Sequence, residues 1–129
     1  METTPKLQIF DRERMSLLGL MIGGIIERGL DNPAKAALVG RLKGKLGVTA
    51  GRMSLTLEFD RRSVIVRRGL DLPLKATIRG SLGALLGVSL GQGIVGSFVS
   101  GDIGLSGNPL FALKTLPLFR VDRQEGEDS

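Results

Sequence analysis

The sequence predicts an α+β domain in which a mainly antiparallel sheet of four to five strands is covered on one face by helices. Three observations lead there. Segments near both ends carry apolar residues at helical spacing behind recognisable caps. Between them the apolar period drops to two over closely spaced runs. The 129 residues contain no cysteine, yet a single domain of that length buries roughly 65% of its unfolded surface and needs no covalent staple.

The first helix spans Met15 to Gly29, with Leu18, Ile22, Ile25 and Ile26 at helical spacing behind the charged turn at residues 11–14. Leu17, Leu18, Met21, Ile22, Ile25 and Ile26 wrap more than one stripe of it. This N-terminal helical extension, residues 12–30, is therefore expected to bury its second face in a homodimer through Met15–Gly29 or against another partner. Asp31 or Asn32 before Pro33 supplies the next cap. Ala34, Leu38, Leu42 and Leu46 then recur every four residues, which predicts a second amphipathic helix with Lys35 and Lys43 on its wet side.

The period then changes. Met53, Leu55, Leu57 and Phe59 alternate with Arg52, Ser54, Thr56 and Glu58, a strand with one dry face. A short turn leads to residues 63–68, SVIVRR, and after a break Leu72, Leu74, Ala76 and Ile78 alternate with Lys75, Thr77 and Arg79. Three strands so close together predict an antiparallel meander. Helical spacing returns after Gly80; Val99, Gly101, Ile103 and Leu105 share one face of a last strand; and Asn108-Pro109 opens a helix that Pro117 ends. Residues 1–121 read as one domain and residues 122–129, DRQEGEDS, as a disordered acidic tail.

The chain also lacks histidine. Without histidine and cysteine, the usual base near neutral pH, the usual transition-metal ligands and the most readily activated nucleophile are missing together. No catalytic residue, metal site or cofactor is predicted, and the protein is expected not to be an enzyme. The N-terminus has no basic segment running directly into an apolar one, so a cytoplasmic location is expected.

The formal net charge of +5 is uneven: residues 41–79 hold ten bases against three acids. Arg52, Arg61, Arg62, Arg67, Arg68, Lys75 and Arg79 are the candidate contacts for an anionic membrane surface, at about 1 kcal/mol for each nearby base. A solvated sheet face with edge charges is the competing reading. A nucleic-acid module is a third, but five phenylalanines with no tyrosine, tryptophan or histidine supply few stacking platforms, so no specific nucleic acid is expected.

Residues 80–101 carry no charge at all. Gly91, Gly93 and Gly96 satisfy the spacing of a dinucleotide fingerprint, but no long strand precedes them and no acid stands about twenty residues beyond. A membrane span is disfavoured by the glycines, serines and glutamine within the run. The remaining reading is two short helices covering the sheet with a larger apolar side than a covering helix needs.

The stretch ATIRGSLGALLGVSL, followed by IVGSFVSGDIGLSGNPLFALKTL, resembles the second half of the sterol-carrier-protein type-2 family. The likeness covers residues 36–118: a strand ending in a small-residue turn at Ala76 to Gly80, a helix from Ser81, an aromatic at Phe98, a strand over residues 101–108 and a last helix from Pro109 to Leu116. The resemblance implies helices on one face of the sheet enclosing an apolar tunnel for a fatty acyl, sterol-like or isoprenoid ligand. It implies lining by Phe59, Ile78, Leu82, Leu85, Leu86, Ile94, Phe98, Leu110, Leu113 and Leu116, for each of which plain core is the competing reading. The expected function is a non-enzymatic lipid carrier, peripheral at the inner face of a membrane. The alternative within the same resemblance is an accessory or scaffold protein of isoprenoid quinone biosynthesis, as among bacterial relatives.

Overall fold

The computed structural model of the chain describes residues 4–89 and 103–120. Its strands are β1 (Lys6–Ile9), β2 (Lys43–Ala50), β3 (Met53–Asp60), β4 (Ser63–Arg68), β5 (Ala76–Gly80) and β6 (Ile103–Gly107). Its helices are α1 (Leu17–Gly29), α2 (Pro33–Val39), α3 (Leu82–Ser89) and α4 (Pro109–Thr115), with single 3-10 turns at Arg12–Arg14 and Leu116–Phe119.

The sheet is mixed and six-stranded, in the order β1-β4-β3-β2-β5-β6. The expected sheet of four to five mainly antiparallel strands is corrected in both respects. β1 lies parallel to β4, and β2 lies parallel to β5; the other three pairings are antiparallel. Because β1 occupies the free edge of β4, β5 cannot continue a meander there and pairs with β2 on the far side of the hairpins.

β2 is the second correction. The predicted second helix ends at Val39, and the chain turns at Gly40 and re-enters as a strand at Lys43. Leu42 and Leu46 are buried, as a helical reading also requires, but Leu46, Val48 and Ala50 alternate with Lys45, Gly47 and Thr49. Gly40, Gly44 and Gly47 each weaken a helix by up to about 1 kcal/mol. As a strand the segment gains hydrogen-bonded neighbours on both sides. Lys35 is not on a wet side: it is buried, and its ammonium donates to the Arg120 carbonyl.

α1 forms where predicted, its first turn capped by the Ser16 side chain, which accepts from the Gly19 N–H at 3.2 Å. Leu18, Ile22 and Ile26 are buried against the sheet, at about 1.5–3 kcal/mol each. The chain thus covers one stripe of the helix itself, while Leu17 and Leu20 are exposed on the other side.

To travel from β4 to β5 the chain must pass β3 and β2, and residues 69–75 do so as a strap across the face opposite the helices. Thr56 of β3 is fully buried beneath it. Its hydroxyl donates to the Gly69 carbonyl and accepts from the Asp71 N–H, both at 2.8 Å. Lys45 adds an ion pair to Asp71 at 2.9 Å, and the Lys75 N–H bonds the Lys45 carbonyl. Gly47 makes room: a Cβ there would meet Leu74 Cδ1 at 2.9 Å and Leu70 Cδ2 at 3.0 Å. Thr56→Val keeps the shape and removes both bonds, so it is expected to lower stability by about 1–3 kcal/mol in urea unfolding and to speed hydrogen exchange at the Asp71 amide.

Candidate functional site

β5 and β6 are antiparallel neighbours, Ile78 facing Leu105, and a helix leaves each at opposite ends of the pair. α3 begins immediately after Gly80, where the Ser81 hydroxyl accepts from the Ala84 N–H at 3.0 Å. α4 begins after Gly107, where the Asn108 carboxamide oxygen accepts from the Leu110 and Phe111 N–H groups. The Asn108 N–H in turn bonds the Lys75 carbonyl at 2.9 Å, so the cap is tied to the entry of β5. Gly107 has φ 82°, and a Cβ there would stand 2.7 Å from the Lys75 oxygen. No other residue fits that turn without backbone movement.

This cap sets the rotational phase of α4. Phe111, Ala112 and Thr115 turn inward and are buried, and the Thr115 hydroxyl donates to the Ala112 carbonyl at 2.7 Å. Leu110 and Leu113, predicted as lining, are 67% and 49% exposed. Leu116 is half-buried against the core. The inward aromatic is Phe111, which the sequence reading passed over; its place at the third helical position after an Asn-Pro cap is the signal that could have found it. It meets Phe59 edge to face, with ring centres 6.1 Å apart, and Lys75 Nζ lies 4.8 Å above its ring.

Of the predicted lining residues, Phe59 and Ile78 are 2% exposed and lie in packed core. Leu82 and Leu85 of α3 are half-buried against it. The structure therefore brings Phe59, Ile78, Leu82, Leu85 and Leu116 to one apolar layer and leaves Leu110 and Leu113 outside it. Leu86 falls within α3, its side chain not described, and Ile94 and Phe98 lie outside the described residues, as does the tail at 122–129. No helix among the described residues is long and apolar enough to cross a membrane.

The seven predicted surface bases do not form one patch. Arg61 and Arg62 sit at the β3–β4 turn, the end of the sheet that also receives Lys75, whereas Arg52, Arg68 and Arg79 belong to the opposite end. Eight residues of strand separate the ends by about 26 Å, some three Debye lengths in physiological salt. Arg67 is engaged with Glu58 at 3.0 Å, and Lys75 Nζ donates to the Lys43 carbonyl.

The chain matches no family model and no curated protein. Its similarity is to solved structures. A UbiJ-SCP2 ubiquinone synthesis protein superposes with a TM-score of 0.64 at 20% identity, covering 85% of this chain and 91% of that one. The sterol carrier protein domain 2 of Helicoverpa armigera gives 0.61 at 15% identity over 80% and 89%. The chain has the sterol-carrier-protein-2 fold. Palmitated SCP2L2 of Aedes aegypti shares that fold at a TM-score of 0.52 and 18% identity, covering 86% of this chain and all of the other. The sterol-carrier-protein-2 fold thus accounts for the helices gathered on one face of the sheet and for the last strand leading directly into α4.

Two carboxylates in this fold sit below their ordinary range. The N–H groups of Arg62 and Ser63 hold Asp60 there, and a hydrogen bond from Lys45 does the same for Asp71. A lowered folded-state value means that each contribution is present above the unfolded value of about 3.9 and is lost as pH falls through the folded one. The urea midpoint is expected to be level above about pH 5 and to drop on acidification, and Asp60→Asn should make that drop shallower. At neutral pH, Gly107→Ala is expected to cost about 1–3 kcal/mol, measured by the same unfolding curves.

Proposed function

We propose that the chain is a lipid-binding carrier domain holding a fatty acyl, sterol-like or isoprenoid ligand between α3, α4 and the β5–β6 side of the sheet. The observation that carries this reading is the half-open apolar layer that α3 and α4 lay on the sheet. The sheet beneath is closed throughout: Leu55, Leu57, Val64 and Val66 have no measurable exposure, and Ala76, Ile78 and Ile103 are buried. In that layer Leu82, Leu85, Leu105 and Leu116 are only half-buried, and beside it Leu110 and Leu113 are exposed. A ligand of about twelve methylenes laid there would gain of order 10 kcal/mol in gross transfer free energy, before ordering costs. Binding of this kind needs no catalytic group.

The likeness to sterol carrier protein structures, one of them palmitated, supports the lipid class. The UbiJ-SCP2 ubiquinone synthesis protein favours a second reading, in which the ligand is an isoprenoid quinone precursor held for partner enzymes. Native mass spectrometry of the purified protein distinguishes the two by the mass of the retained lipid. A fluorescent fatty acid is expected to saturate the wild type, and Leu85→Trp to weaken it by about tenfold while the urea midpoint stays near that of the wild type. In a solid core the same change would cost about 1–3 kcal/mol through overpacking. Loss of stability in the variant, with neither acyl nor isoprenoid lipid bound by the wild type, would overturn the reading.

A further inference from the structure

The sheet face opposite the helices holds a groove of about 430 Å³ at its β1–β4 edge. One wall is the turn after β1, with Phe10, Asp11 and Arg14; the other is the start of the strap, with Leu70 and Asp71; Arg67 and Arg68 at the end of β4 lie between them, so three guanidiniums face two carboxylates. Volumes of about 300–1,000 Å³ are typical of small-molecule sites.

The charges here are unequally satisfied. Arg67 is committed on two sides: its Nε bonds Glu58 at 3.0 Å, and its guanidinium lies 4.8 Å from the centre of the Phe10 ring. Asp71 is held by Lys45. Arg14 is 82% exposed and only loosely paired, 3.9 Å from Asp11. Arg68 donates to the Arg14 carbonyl at 3.2 Å, which ties the turn to β4, and has no carboxylate partner among the described residues. Two guanidiniums are therefore available to an anion. Beside them stand a phenyl ring 59% exposed and a leucine 46% exposed, apolar surface that water covers at a cost.

We infer that this groove binds a flat organic anion, an aryl carboxylate or aryl phosphate, with its charged group on Arg14 and Arg68 and its ring against Phe10 and Leu70. Guanidinium matches the planar oxygens of carboxylate and phosphate through paired hydrogen bonds. The exposed ring and leucine discriminate in favour of an aryl body over a bare ion. The lipid site proposed above lies between α3, α4 and the β5–β6 side of the sheet, so this site at the β1–β4 edge stands independently of it.

The test is amide chemical-shift mapping of the full chain with phenyl phosphate, benzoate and inorganic phosphate, each to about 10 mM, a range that detects millimolar binding. Saturable shifts at residues 10–14 and 67–71 are expected with phenyl phosphate or benzoate, at least about tenfold tighter than with inorganic phosphate. Arg14→Glu, at a side chain already in solvent, should abolish them, and Arg68→Gln should weaken them with the fold intact by the dispersion of the remaining amides. Absence of shifts with both aryl anions would overturn the site. So would equal affinity for inorganic phosphate, which would mean charge attraction alone, or unchanged binding in Arg14→Glu.

Discussion

The fold turns on a single connection, the strap at residues 69–75 that carries the chain past two strands. β1 has taken the outer edge of β4, so the next strand can pair only on the far side of β2. A segment crossing a sheet face must satisfy its own polar groups or leave them facing a dry surface. Thr56 does this with one hydroxyl that serves Gly69 and Asp71 at once. Gly47 supplies the depth beneath it by having no side chain. The placement of β5 and β6, and with them α3 and α4, follows from that crossing.

Two unlike halves result. Where α1 lies over the sheet, Leu18, Ile22 and Ile26 are buried against strands whose apolar side chains are closed to water. Where α3 and α4 lie, Phe111 on Phe59 closes the inner end, Leu118 and Phe119 are buried beyond it, and the leucines farther out remain partly open. The proposed carrier role needs both, because a core sealed everywhere has no room for an acyl chain and one sealed nowhere does not hold its shape. The bases obey the same geometry: adjacent hairpins turn at opposite ends of a sheet, so arginines close in sequence at 52 and 61 end far apart in space.

Much of this was legible in the sequence. The alternation from Met53 to Phe59 and the apolar run from Ser63 to Arg68 each matched a strand, and the Asn32 and Asn108 caps matched the starts of α2 and α4. The resemblance to sterol carrier proteins covered residues 36–118 and rested on a succession of local features from the strand at Ala76 to the capped helix at Pro109. The reading failed at β2, where Leu38, Leu42 and Leu46 satisfy a helical period and Leu46, Val48 and Ala50 a strand period with the same residues. It did not single out Phe111, the side chain that the cap of α4 turns inward, while Leu110 and Leu113 stand exposed.

What the sequence determined by itself was therefore everything set within about ten residues: caps, the period of each unambiguous segment, the uncharged run and the total charge. What only the tertiary structure decided was which strands are neighbours, which stripe of a helix is dry, and which arginines share a surface. Those depend on contacts between residues remote in the chain, β1 against β4 and β2 against β5 above all. Local propensity differs between helix and strand by less than 1 kcal/mol at most positions, whereas pairing on both edges and burial on one face contribute several times that over eight residues, so at β2 the distant partners outweighed the local preference.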